Sequence, residues 1–162
     1  MSPAATISAL DSSGNPPAPA SPGGDRPRRG RILVADDSHV TRTFVSRLLE
    51  IADFAVDVAM DGGSGALAVC TGDYDLVLMD LEMPIMNGIE AAGVIRAVGL
   101  CVPIIALTAS SDLRDPAACA AAGMNGFLQK PFTLAAFEAE WERVRNAQQH
   151  PVAGGIPAIP IV

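Results

Sequence analysis

The sequence predicts an α/β domain built on a parallel sheet with helices on both faces. Three observations predict it. Short apolar runs of strand length recur five times along the chain. Each is followed by a segment whose apolar residues fall at helical spacing. Gly, Pro, Asp and Asn punctuate the joints between them. Strands that are apolar throughout are buried on both faces, and strand–helix alternation joins parallel strands through right-handed crossovers. Periodicity does not supply the strand order.

The elements follow in order. Residues 1–30 are rich in Pro, Gly and Ser, lack hydrophobic periodicity and read as a disordered N-terminal tail. Arg26, Arg28 and Arg29 close it as a solvated basic cluster. Arg31 to Ala35 is the first buried strand and ends at Asp36-Asp37. Ser38 is a good N-cap for a helix whose stripe is Val40, Phe44, Leu48 and Ile51, widened by Val45 and Leu49. Phe54 to Val58 alternates as a second strand. Asp61-Gly62-Gly63 is a turn, and Ser64 to Thr71 a short helix with Leu67 and Cys70 on one side. Leu76 to Met79 is the third strand, breaking at Asp80 into a loop with Pro84 and Asn87-Gly88. Ile89 to Val98 is helical and stops at Gly99. Pro103 to Leu107 is the fourth strand, with Thr108 at its end. An Ala-rich helix follows over Asp112 to Ala122, with Asp115-Pro116 a candidate for its start. Gly126 to Leu128 is the fifth strand, ended by Lys130-Pro131. Thr133 caps a last helix with Leu134, Phe137, Trp141 and Val144 facing inward. Residues 149–162, with three prolines, a Gly154-Gly155 pair and several isoleucines, read as a flexible C-terminal tail.

Bulk composition narrows the function. The 162 residues suit one domain with tails, and 49% hydrophobic content suffices for a core of mainly Ala, Val, Leu and Ile. A net charge of −7 argues against a nucleic-acid surface and is compatible with a carboxylate cation site. Three cysteines without a C-x-x-C spacing suggest neither a disulfide framework nor a zinc site. No secretory leader opens the chain, and no apolar run approaches the roughly 20 residues of a membrane span. A cytoplasmic protein is expected. Lys130 is the sole lysine in the sequence.

The strand ends carry the chemistry. Strand one ends at Asp36 and Asp37, strand three at Asp80, strand four at Thr108 and strand five at Lys130. A parallel sheet brings these ends to one edge, with neighbouring strands about 4.8 Å apart. Three converging carboxylates cannot all stay ionised without a counter-charge, and one lysine does not neutralise three. A divalent cation with oxygen ligands would, and an open carboxylate site suits Mg²⁺. An Asp beside Mg²⁺ and Lys is a plausible nucleophile for phosphoryl transfer, with an aspartyl phosphate as product.

Four stretches carry a resemblance: Ile-Leu-Val-Ala-Asp-Asp-Ser, Leu-Val-Leu-Met-Asp-Leu-Glu-Met-Pro-Ile-Met-Asn-Gly, Pro-Ile-Ile-Ala-Leu-Thr-Ala and Lys-Pro-Phe. Together they resemble the receiver domain of two-component response regulators over residues 31–148, with finer likeness to receivers of hybrid histidine kinases and phosphorelays. The resemblance implies a flavodoxin-like, doubly wound sheet of five strands in the order 2-1-3-4-5 with five helices. It implies Asp80 as phosphoacceptor and Asp36, Asp37, Asp80 and the Glu82 backbone carbonyl as Mg²⁺ ligands. Lys130, the Thr108 hydroxyl and the Ala109 backbone N–H would hold phosphoryl oxygens. Thr108 and Phe127 would form the switch, and the Lys130-Pro131 bond would be cis.

The function so implied is that of a single-domain response regulator. It would take a phosphoryl group from a phosphohistidine on a histidine kinase or histidine phosphotransfer protein. It would then switch an interaction face made by helix 4, strand 5 and helix 5, or relay the phosphate. It would be no enzyme beyond catalysing its own phosphorylation and dephosphorylation, and would bind neither nucleic acid nor membrane. Three alternatives stand beside it. A receiver segment of a hybrid histidine kinase has the same motifs. An interaction module on this fold without phosphorylation would not need every site residue intact. An Asp-nucleophile phosphatase would want a second Asp where Glu82 stands, and a cap domain.

Overall fold

The computed structural model describes residues 28–109 and 116–149. The expected tails and the stretch 110–115 therefore lie wholly or largely outside the described residues. The strands are β1 (Arg31–Ala35), β2 (Ala55–Ala59), β3 (Leu76–Asp80), β4 (Ile104–Thr108) and β5 (Gly126–Gln129). The helices are α1 (His39–Ile51), α2 (Gly62–Thr71), α3 (Gly88–Ala97), α4 (Pro116–Ala121) and α5 (Leu134–Gln149). All strand pairs are parallel, in the order β2-β1-β3-β4-β5. The predicted class and the order implied by the resemblance are both present.

Alternate side chains of each central strand feed opposite layers, as the pleat requires. Leu33, Val77, Met79, Ile104 and Ala106 pack under α2, α3 and Cys119 of α4. Ile32, Val34, Leu76, Leu78, Ile105 and Leu107 pack against α1 and α5. On that second side the Phe137 and Trp141 rings meet Phe54 edge-on, at centroid distances of 5.6 and 5.9 Å.

Local chemistry sets the helix ends. Ser38 caps α1 by accepting from the Thr41 N–H, as expected. Asp61 and Asn87 are the caps of α2 and α3, each in a reciprocal capping box, with Ser64 and Glu90 respectively. Both helices thus start at a glycine that the sequence suggests is still turn. Gly99 and Gly123 follow α3 and α4 with left-handed φ of +83° and +82°. The Thr133 hydroxyl accepts from the Ala136 N–H at the start of α5.

Three expectations need correction. In α1 the fully buried residues are Val45 and Leu49, while Val40 and Ile51 are each 77% exposed and Phe44 is also exposed. Two apolar stripes lie on adjacent faces of this helix, and periodicity alone cannot choose between them. Contact with the Phe54 cluster buries the second. In α2, Leu67 and Cys70 face outward and Gly65, Ala66 and Val69 face the sheet. A Cβ on Gly65 would stand 3.1 Å from that of Ala35, so the helix lies too close to the sheet for a large side chain. The arginines before β1 are not free in solvent: Arg29 pairs with Glu138 and stacks over the Phe54 ring at 4.8 Å, and Arg28 reaches the Phe54 carbonyl at 3.5 Å. Arg26 lies outside the described residues. Strand edges shift by one residue in β2 and β4.

Candidate functional site: an acidic cleft at the strand ends

The β1 and β3 ladder sets Ala35 beside Met79, so the next residues, Asp36 and Asp80, emerge together at the C-terminal edge of the sheet. Asp36 is fully buried, Asp80 is 4% exposed and Asp37 is open to solvent. One carboxylate oxygen from each of the three lies within 4.8 Å of the others.

Lys130 enters from the end of β5. Its strand is two positions from β3 in the sheet, a span of about 10 Å, which needs a long, slender side chain. Its Nζ lies 2.9 Å from Asp36 Oδ2 and 3.1 Å from Asp80 Oδ2. The peptide bond to Pro131 is cis. The Lys130 N–H donates to the Thr108 carbonyl at 2.7 Å, tying the ends of β4 and β5 together.

The electrostatics follow from this packing. Burial pushes the Asp80 carboxyl above its ordinary value, and the Asp36 charge pushes the same way, against the pull of the Lys130 ammonium. Burial also works against the Lys130 charge, but its hydrogen bonds to Asp36 and Asp80 hold it above the usual lysine value. The cleft is short of positive charge at its centre. Three hard oxygen donors, one of them open to solvent, fit a small divalent cation such as Mg²⁺ that keeps part of its water.

The remaining predicted residues fall around this centre. Thr108 ends β4, half-buried, and Ala109 follows, exposed. The Glu82 N–H donates to Asp80 Oδ1 at 3.3 Å while its side chain stays outside. Phe127 sits half-buried on β5 against the α2/α3 layer. The structure thus brings Asp36, Asp37, Asp80 and Lys130 into one cluster, sets Glu82 beside it by its backbone, and stands Thr108 and Ala109 on its rim.

Two supporting residues escape the sequence reading. Arg42 Nη1 donates to the carbonyls of Asp36 at 2.6 Å and Asp37 at 3.0 Å, pinning the loop that carries both acids. A signal existed, since Arg42 stands one turn into the helix that opens just after the acidic pair. Gly88 is there for room: a Cβ on it would overlap the Asp80 carbonyl oxygen and lie 3.1 Å from Leu81 Cα. The sequence shows Gly88 only as turn punctuation.

Beside Lys130 the cleft opens into an apolar cavity of about 430 Å³, lined by Val40, Phe44, Ala109, Pro131 and Phe132 among others. The exposed stripe of α1 forms one of its walls.

A parallel sheet of this order, with paired acids after β1, an acid ending β3, a hydroxyl ending β4 and a lysine before a cis proline, defines the receiver class of signalling domain. The chain belongs to the response regulator receiver domain family, which it matches over residues 32–142. It is 39% identical over 114 residues to hybrid signal transduction histidine kinase B of Dictyostelium discoideum, covering 62% of this chain and 6% of that one. It is 38% identical over 103 residues to two-component response regulator 24 of Arabidopsis thaliana, covering 63% of this chain and 74% of that one. Among solved structures, the receiver domain of a Pseudomonas aeruginosa sensor histidine kinase is similar with a TM-score of 0.67 and 34% identity, over 72% of this chain and 98% of that one. That structure carries a magnesium ion coordinated in its active-site cleft. A Vibrio cholerae chemotaxis protein is similar with a TM-score of 0.66 and 29% identity, over 70% of this chain and 97% of that one. Among the described residues no helix is long and apolar enough to cross a membrane.

Proposed function

We propose that the chain accepts a phosphoryl group from a phosphohistidine onto Asp80. The observation that carries this reading is the cluster itself: a nearly buried carboxylate at the end of β3, held by Lys130 at 3.1 Å and set within 4.8 Å of two further carboxylates. In the transfer, an ionised Asp80 oxygen bonds to phosphorus as the phosphorus–nitrogen bond of the donor breaks, and the imidazole leaves with the bonding electrons. Lys130, the Thr108 hydroxyl and the Ala109 N–H hold the phosphoryl oxygens. Asp36, Asp37, Asp80 and the Glu82 carbonyl would hold Mg²⁺, which when bound would supply positive charge against those oxygens. Arg42 keeps the acidic loop in place through the Asp36 and Asp37 carbonyls.

The donor is a histidine kinase or histidine phosphotransfer protein. The apolar cavity beside Lys130, walled by Val40, Phe44 and Phe132, gives an amphipathic helix of that donor a place to pack next to Asp80. Once Asp80 is phosphorylated, Thr108 draws toward the phosphoryl group, Phe127 turns inward, and the face of α4, β5 and α5 changes for a protein partner. The setting is cytoplasmic, where such donors present their histidine. A receiver segment of a hybrid kinase would perform the same chemistry, and the likeness to a hybrid histidine kinase and to a sensor kinase receiver domain favours it as a second reading.

The test is intact-mass measurement after incubation with Mg²⁺ and a small phosphodonor such as acetyl phosphate. One added phosphoryl group is expected on the natural chain and none on Asp80→Asn. Labelling that survives that substitution removes Asp80 as the acceptor.

A further inference from the structure

Among the described residues β5 is an edge strand, bonded to β4 on one side alone. Such an edge exposes a row of N–H and C=O groups. Here one of them, and the carbonyl just before the strand, are taken by side chains of α5. The Phe127 N–H donates to Glu140 Oε1 at 2.9 Å, and the Asn125 carbonyl accepts from Arg143 Nη2 at 2.6 Å. Glu140 and Arg143 also grip each other, with Arg143 Nε 2.8 Å from Glu140 Oε2 and Nη2 2.7 Å from Oε1. Charge-assisted, two-pronged bonds of this kind are strong and directional.

Gly126, between the two clamped peptide groups, is an independent sign that the pair is built into the strand. It is not among the residues with left-handed φ, so conformation does not demand glycine there. Space does. A Cβ on Gly126 would overlap the Glu140 carboxylate and lie 2.8 Å from Arg143 Nη2. Strand and helix are cut to fit one another at this point. The clamped stretch carries Phe127 and leads within three residues to Lys130, which holds Asp36 and Asp80. The helix side of the clamp adjoins Trp141, buried against Phe54.

We propose that Glu140 and Arg143 are positioning residues that tie the backbone of Phe127 to α5, so that movement of β5 at the occupied site is carried into α5. The inference rests on the phosphoacceptor reading above. Without the clamp, β5 and α5 meet through apolar contacts, which allow the strand to shift beneath the helix. With it, displacing the Phe127 backbone drags two charged bonds anchored one turn apart on the helix.

The test uses the full chain with Mg²⁺ and beryllofluoride as the phosphoryl mimic, read by amide hydrogen exchange in β5 and α5 and by emission of Trp141, the sole tryptophan. In the natural chain both elements should respond together. In Glu140→Ala, beryllofluoride should still bind and β5 still respond, while most of the α5 response is lost. Glu140→Gln keeps an oxygen for the Phe127 N–H but loses the ion pair, and serves if the alanine variant does not fold. Its α5 response should fall by less. A folded variant whose α5 responds as fully as the natural chain overturns the inference and leaves the phosphoacceptor reading standing. A natural chain that shows no response to beryllofluoride overturns both.

Discussion

Replacing Lys130 with methionine tests the electrostatic heart of the site. The substitution keeps most of the side chain's length and removes its charge. Two carboxylates lose their cation, Asp36 with a fully buried side chain and Asp80 with one 5% exposed, while Lys130 itself is 18% exposed. Removing one partner of a buried ion pair costs about 3–5 kcal/mol, because the other charge is stranded. Two features pull the value to the lower end. Lys130 retains some solvent, which screens it, and Asp80 already lies above its ordinary value and can shed its charge by taking a proton. A loss of about 3 kcal/mol, or about 10–15 °C in Tm for a domain of this size, is expected in EDTA at neutral pH.

Two further arms separate charge from packing. Mg²⁺ neutralises the same carboxylates, so it should raise Tm more in Lys130→Met than in the natural chain. Asp80→Asn in the Lys130→Met background should recover stability, because one stranded charge is gone. The double-mutant cycle should show a coupling well above the roughly 0.5 kcal/mol typical of independent sites. Thermal melts followed by circular dichroism provide every value. A Lys130→Met Tm within about 2 °C of the natural chain in EDTA would refute the reasoning, since the buried acids would then not depend on that ammonium.

Other perturbations probe the scaffold and the docking surface. Phe137→Ala removes a fully buried ring that meets Phe54 at 5.6 Å and should destabilise by about 3–5 kcal/mol in denaturant melts. Phe44→Ser alters an exposed residue on the cavity wall, so Tm should move little while phosphotransfer from a histidine phosphotransfer protein slows and acetyl phosphate labelling does not. The hydrogen bond from Arg29 holds the Glu138 carboxyl below its ordinary value. Its contribution is therefore present above the unfolded pKa and lost as pH falls through the folded one. Glu138→Gln should remove a small acid-side step in stability, a few tenths of a kcal/mol for so solvent-accessible a pair.

The parts of this molecule legible from sequence are those where one physical demand acts alone. β1 runs over Arg31–Ala35 as expected, because a central strand of a parallel sheet is apolar on both faces and nothing competes with that pattern. Asp36, Asp37, Asp80 and Lys130 were legible as a cluster because parallel topology sends every strand end to the same edge. The illegible parts are those where two elements negotiate. Val40, Phe44 and Ile51 looked like core because a helix with two apolar stripes has two self-consistent orientations, and only the partner surface selects between them. Gly65 and Gly126 reveal nothing about their purpose in one dimension, since the atoms that would collide with their side chains belong to residues far along the chain.

That division bears on function as well as on fold. The exposed α1 stripe is read correctly only when its failure to enter the core is known, and then it becomes a wall of the cavity beside Lys130. A folding argument alone would leave those residues unexplained, because a polar face there would satisfy the core equally well. Apolar side chains left in water beside an acidic cleft are better accounted for by a partner that covers them during transfer. The same logic separates the two ends of the site. The carboxylates and Lys130 would serve any donor of a phosphoryl group, whereas Val40 and Phe44 touch nothing that reacts. On the proposed phosphoacceptor reading, discrimination among donors would fall to α1, and substitutions there should change which histidine protein is used while leaving acetyl phosphate labelling of Asp80 intact.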